Sequence, residues 1–123
     1  MVAENYVQSL LRDVPDFPRP GIIFKDITPL LADPVARKKV VEEIRIHFSS
    51  QDVQAVAAVE ARGFIFGSLL ADALGVPFIP VRKSGKLPYH KISEDYALEY
   101  GTASIEMHVD AFEPGTRVLI HDD

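Results

Sequence analysis

The run Val53-Gln54-Ala55-Val56-Ala57-Ala58-Val59 constrains the chain most, because it is apolar almost throughout. A strand with one face in water alternates apolar and polar residues, whereas a strand buried on both faces does not. Burial on both faces requires covering elements on each side, which points to a sheet flanked by helices. The neighbouring segments agree. Gly63 to Leu74 reads as a helix closed by Gly75 as its C-terminal cap. PFIPV at 77–81 reads as a second buried strand, shortened by its prolines, and VLI at 118–120 as a third that runs into Asp122-Asp123. Strand, helix, strand, ribbon and strand in this order imply an α/β domain with a largely parallel, twisted sheet.

The remaining segments are more polar. Val7, Leu10, Leu11 and Val14 recur at helical spacing, which predicts a short amphipathic helix over 3–13. Pro15, Pro18, Pro20 and Gly21 then predict a stiff, extended loop. Asp33-Pro34 is a helix start, with Asp33 as N-cap and Pro34 at the first helical position. Val40, Val41, Ile44 and Phe48 give that helix its apolar stripe. Residues 83–95 read as a polar loop. Ala103, Ile105, Met107 and Val109 alternate with Ser104, Glu106 and His108, as on a half-exposed strand. Glu113-Pro114-Gly115-Thr116 reads as a turn.

With 123 residues, 47% hydrophobic and 25% charged, the chain has the balance of an ordinary globular domain. It has no cysteine, so disulfides and thiolate metal sites are excluded, and a reducing cytoplasm is the compartment expected. No signal peptide is expected from MVAENYVQSLLRD, and no stretch reaches the about 18 apolar residues of a membrane span. A net charge of −5 argues against general nucleic-acid binding. The charge is unevenly placed: Arg82 to Lys91 holds four basic residues and no acid, and Ile92 to Thr116 six acids and no Lys or Arg. One compact basic loop in an acidic protein suits a small anionic ligand, or is a solvated loop beside a solvated ribbon.

Ligands of open α/β sheets gather at the carboxyl ends of the strands. That rule selects Glu60-Ala61-Arg62-Gly63 after the first strand, Arg82-Lys83 with Lys86 after the second, and Asp122-Asp123 after the third. At the first, a helix N-terminus, the guanidinium of Arg62 and the bare backbone of Gly63 suit a phosphate; the alternative is an Arg62 paired with Glu60 or Asp72. At the second, Gly85 bends a basic loop that can be an anion site or surface. At the third, adjacent carboxylates can accept sugar hydroxyls, hold hydrated Mg²⁺, or simply be solvated. His47, His90, His108 and His121 show no metal spacing and read as structural or solvated. No Walker loop, dinucleotide fingerprint or nucleophile elbow is present.

Four ordered blocks, FPRPGIIFKDITPLL (17–31), EARGFIFG (60–67), VRKSGKLP (81–88) and LEYGTASIEMHVDA (98–111), resemble the adenine phosphoribosyltransferases. The resemblance implies a type I phosphoribosyltransferase fold, divided into an N-terminal helix and base-binding hood (1–33) and an incomplete core (34–123). It implies purine salvage: adenine and 5-phosphoribosyl 1-pyrophosphate give AMP and pyrophosphate. The hood residues Ile23, Phe24 and Lys25 would bind adenine, with Lys25 where the family often has Arg. Ala61, Arg62 and Gly63 would bind pyrophosphate, with a non-proline cis peptide at Glu60-Ala61 or beside it. Arg82, Lys83 and Lys86 would join them, partly across a homodimer interface. Glu99 would be the acid–base residue on a mobile ribbon, with Tyr100 beside it. Asp122 and Asp123 would contact the ribose and the water shell of a substrate-borne Mg²⁺, with no direct protein ligand to the metal. His121 stands where the family has an apolar residue.

The phosphate-cradling loop that should follow Asp123 lies outside the sequence. A protein ending there is expected to show negligible transfer and to expose apolar faces of the strands at 77–81 and 117–121. The other readings are a non-catalytic purine-binding or phosphoribosyl-pyrophosphate-binding module of the same fold, and an enzyme for another base. A DNA-binding regulator would add a basic surface, which is lacking, and the hood and LEYG favour adenine.

Overall fold

The computed structural model describes residues 2–123, with side chains described from Tyr6 onward. The chain forms two compact units, one ending at His47 and the other Phe48–Asp123, and each is described by itself.

The first unit holds α1 (Val2–Leu10), β1 (Arg12–Pro15), β2 (Ile23–Asp26), α2 (Thr28–Leu31) and α3 (Pro34–His47). Helix α1 stops short of the expected residue 13 because Arg12–Pro15 is drawn into an antiparallel hairpin with Ile23–Asp26. The proline-rich segment is therefore the hairpin's loop rather than a free extended stretch. Within it the Asp16 carboxylate accepts the Gly21 N–H at 3.0 Å, where Gly21 takes φ +90°. Phe17 N–H donates to the Ile22 carbonyl at 3.2 Å, and the Phe17 ring meets Phe24 edge-on at 5.2 Å. The Phe17-Pro18 peptide is cis.

Asp33 caps α3 as its sequence position predicts. One carboxylate oxygen accepts the Val35 and Ala36 N–H groups, both at 3.0 Å, and the other accepts the Tyr6 hydroxyl at 2.5 Å. These bonds, the Tyr6 hydroxyl foremost, hold the Asp33 carboxyl below its ordinary range. The single-turn α2 was not expected; Asp26 starts it by accepting the Thr28 N–H and hydroxyl, each at 2.9 Å. Leu30 and Ala36 are the buried residues here, and Val40, Val41 and Ile44 of the expected stripe are half-buried, whereas Phe48 falls beyond the end of α3.

The second unit holds β3 (Ala55–Val59), α4 (Arg62–Leu74), β4 (Phe78–Lys83), β5 (Lys91–Leu98), β6 (Gly101–His108) and β7 (Val118–His121). They form a five-stranded sheet in the order β5-β6-β4-β3-β7. β3 runs parallel to both β4 and β7, as expected, while β6 joins β4 antiparallel and β5 joins β6 antiparallel. The loop expected over 83–95 is shorter, because Lys91–Leu98 pairs residue for residue with Gly101–His108. Every residue of β5 is exposed, and although Ile92, Tyr96 and Leu98 share one face, Glu94 interrupts their alternation.

Small residues set the core. Ala55, Val56, Ala57 and Ala58 are all buried, and their short side chains let α4 approach the sheet closely. A Cβ on Gly67 would fall 2.6 Å from the Ala58 Cβ and 3.3 Å from the Phe78 ring. Phe66, Leu70, Ala71, Ile79 and Leu87 complete the core. Gly75 ends α4 at φ +67°, the left-handed value that glycine adopts freely. On the last strand Ile120 is largely exposed. Among the described residues no helix is long and apolar enough to cross a membrane.

Gly67→Ala should destabilise the fold by about 1–3 kcal/mol, since the added methyl must push α4 off β3. Urea unfolding measures this, and a wild-type midpoint would show that helix–sheet spacing does not depend on the bare glycine.

Candidate active site

The parallel register sets Val59 beside Val81 and Ala58 beside His121. The carboxyl ends of β3, β4 and β7 therefore lie side by side, and the residues that follow them form one cluster. Glu60 is at its centre. Its side chain is only 6% exposed, and a buried carboxylate needs donors on both oxygens. One oxygen accepts the Lys83 N–H at 2.7 Å and Arg82 Nε at 3.2 Å; the other accepts Lys86 Nζ at 2.6 Å. Glu60, which the sequence offers as part of the strand-end motif and as a partner for Arg62, thus gathers the side chains of Arg82 and Lys86 and the backbone of Lys83.

Arg62 resolves differently from either alternative. Its Nε lies 2.7 Å from Asp123 Oδ2, so it bridges to the end of β7 and not to Glu60 or Asp72. Gly63 is buried beneath that bridge: a Cβ there would sit 3.2 Å from Asp122 Cα and 3.3 Å from the His121 carbonyl oxygen. The bare glycine lets the start of α4 meet the end of β7. The Glu60-Ala61 peptide is cis, within the stretch where the resemblance implied one. Asp122 Oδ1 accepts the Asp123 N–H at 2.8 Å, and both aspartates are exposed.

Glu106 is the residue that sequence reasoning placed wrongly. Alternation along β6 put it on the solvated face with Ser104 and His108, yet it is 6% exposed. The basic loop folds over that face. Gly85 N–H donates to one Glu106 oxygen at 2.9 Å and the Ser93 hydroxyl to the other at 2.8 Å. These bonds, with the charge of Lys91 adding to them, keep its carboxyl below the ordinary range. No periodicity could reveal this, since the covering loop is polar and comes from elsewhere in the chain.

His121 explains its own departure from an apolar residue. Its ring lies near Gly67, and its Nε2 is buried with no hydrogen-bond partner among the described residues. Burial lowers its pKa against the opposing pull of Asp122 and Asp123. His108 Nε2 accepts the Tyr89 N–H at 3.4 Å, a structural contact.

The other predicted positions are spread out. Glu99 and Tyr100 stand at the exposed tip of the β5–β6 ribbon, Tyr100 at 83% exposure. In the first unit Ile23 is 62% exposed, Phe24 packs on Phe17, and Lys25 Nζ is paired with Asp13 across the hairpin. Pro15 stands opposite Ile23 and has no N–H to offer it. Among the described residues no group of acids and histidines could hold a metal ion directly.

Lys86 and the Lys83 N–H, with Arg82, pull the Glu60 pKa from its ordinary 4.5 to about 2. A depressed carboxyl stabilises the fold above its unfolded pKa and loses that contribution as pH falls through the folded one. Glu60→Gln should therefore lower the unfolding midpoint by a constant amount above pH about 5, and the difference should vanish towards pH about 2. A wild-type-to-variant gap that persists undiminished in acid would show that the Glu60 charge is not responsible.

No family model matches the chain. The adenine phosphoribosyltransferase of Cytophaga hutchinsonii is 54% identical over 122 residues, covering 99% of this chain and 67% of that protein. The crystal structure of the adenine phosphoribosyltransferase of Rhodothermus marinus matches with a TM-score of 0.92 at 52% identity, covering 99% of this chain and 69% of that one. The enzyme of Saccharomyces cerevisiae, crystallised with an imino-altritol bisphosphate and adenine, matches with a TM-score of 0.93 at 34% identity, over 97% of this chain and 70% of its own. The chain spans about two thirds of the length of these relatives. At this identity, over nearly its whole length, the chain belongs to the adenine phosphoribosyltransferase family.

Proposed function

We propose that the protein transfers the phosphoribosyl group from 5-phosphoribosyl 1-pyrophosphate to adenine, releasing pyrophosphate, and that its binding roles fall on the residues above. The observation that carries the reading is the cluster of Arg82, Lys83 and Lys86 around Glu60 at the adjoining ends of β3 and β4, with Arg62 following at the start of α4. Such a cluster suits a leaving group that gains negative charge as its bond to the anomeric carbon breaks. Arg62, the backbone at Ala61 and Gly63, and the basic loop would hold pyrophosphate. Asp122 and Asp123 would accept the ribose hydroxyls.

Ile23, Phe24 and Lys25 would bind adenine. The yeast relative crystallised with adenine supports a purine as the ligand. A hairpin loop stiffened by prolines loses little further entropy on meeting the base. The exposed Glu99 would close over the site on its ribbon and exchange a proton with the adenine ring near N7, while N9 bonds to the anomeric carbon with inversion. Closure would also keep water from the activated sugar.

Mg²⁺ is the metal we infer. Two exposed carboxylates at the end of β7 suit the water shell of a hydrated ion carried by the substrate. Bound there, it would neutralise charge on the pyrophosphate. The inferred assembly is a homodimer, and the inferred compartment is the cytoplasm.

Glu99→Ala should reduce the turnover of AMP formation by about 100- to 10,000-fold, the range for loss of a general acid–base group. Its unfolding midpoint should stay at the wild-type value, since Glu99 is exposed at a strand turn. Unchanged turnover would reject Glu99, and a wild-type protein that binds neither adenine nor pyrophosphate would reject the reading as a whole.

A further inference from the structure

Two buried carboxylates grip the basic segment from different elements. Glu60, at the end of β3, takes Arg82 Nε, the Lys83 N–H and Lys86 Nζ. Glu106, within β6, takes the Gly85 N–H from the other side. Gly85 lies at φ +87°, so the chain bends between these anchors. The segment continues into Leu87, which is 7% exposed and fixes its far end in the core. A surface loop of this composition would ordinarily be loose; this one has its backbone and its cations held in place.

Arg82 and Lys86 repel each other, and holding them close requires an anion between them. Glu60 supplies it with separate oxygens for each. It does not exhaust them: Lys86 uses one ammonium N–H on Glu60 and Arg82 its Nε, which leaves the outer guanidinium nitrogens and further ammonium donors for another anion. Two cations against one carboxylate also leave the group net positive. An anion arriving there would meet donors already aimed and would lose less entropy on binding.

We propose that Glu60 and Glu106 are positioning residues for pyrophosphate, holding Arg82–Lys86 in its binding shape before the ligand arrives; this rests on the reading of Arg82, Lys83 and Lys86 as pyrophosphate-binding. Neither carboxylate touches the ligand. Glu60 sets the cations, and Glu106 sets the bend at Gly85 and ties it, through Ser93, to the base of the ribbon that carries Glu99.

The test is a calorimetric titration of inorganic pyrophosphate into the protein and its variants, with adenine affinity and unfolding midpoint measured on the same samples. Glu60→Gln keeps the size and an acceptor for Lys83 but not the charge, and should bind pyrophosphate about tenfold more weakly. Its adenine affinity should not change, which a general structural defect would not permit. Glu106→Ala should also weaken pyrophosphate binding, whereas Glu106→Gln should restore it, since its amide oxygen can still accept the Gly85 N–H.

Glu60→Gln binding as tightly as wild type, or more tightly, would overturn the proposal; the second result would make Glu60 a competing counter-ion. Equal weakening by Glu106→Ala and Glu106→Gln would overturn the Glu106 role. Should Glu60→Gln fail to fold, Glu60→Asp keeps the charge but withdraws it from Lys86, and wild-type affinity in that variant would likewise refute the idea. A wild-type protein with no pyrophosphate affinity would bring down the assignment of the cations and this proposal with it. That outcome is distinct from one in which wild type binds and the variants match it.

Discussion

A carboxylate removed from water must find donors, and much of the second unit is arranged around how Glu60 finds them. The side chain leaves β3 at the sheet's carboxyl edge, where parallel pairing has already brought the end of β4 alongside. Arg82, Lys83 and Lys86 then close on it in sequence order, and the basic loop takes its path from those bonds. Without the buried acid the same residues would be like charges on a glycine-bent loop. With it they form a compact cationic surface that is already shaped.

This arrangement depends on close packing beneath it. Alanines in β3 and glycines at 63 and 67 let α4 sit against the sheet and against the end of β7. Arg62, at the start of α4, is thereby brought to Asp123, and the two loops after β3 and β7 become one edge. The His121 ring lies against the same helix, near Gly67. Packing and electrostatics are therefore not separable here: the missing Cβ atoms determine which charges can meet.

The parallel strands were legible because burial writes a continuous apolar run, as in Ala55–Val59 and residues 77–81. The Asp33 cap and the Gly75 stop were legible because each rests on local backbone chemistry. The β1–β2 hairpin and the strand β5 were not. The hairpin strands are four residues each, too short to show a period, and β5 has Glu94 between Ile92 and Tyr96; what holds them is pairing with a partner that a local pattern does not name. At the site, Arg62, Arg82, Lys83, Lys86 and the aspartates stood out by charge and by position after strands. The partners of those cations did not. Glu106 sits in an alternating strand whose polar positions face solvent by default, until a loop from a different part of the chain covers one of them. The first unit offered the reverse case: Ile23, Phe24 and Lys25 were marked by resemblance alone, and no charge pattern would have selected them.

The central claim is that the strand-end cluster around Glu60 is where the protein holds pyrophosphate. The most direct measurement is a map of backbone amide resonances during titration with inorganic pyrophosphate and Mg²⁺. The largest shifts should fall on Ala61, Arg62 and Gly63 and on the amides from Arg82 to Lys86, with saturation at a single affinity. Shifts confined to other surfaces, with these amides unmoved at saturation, would contradict it.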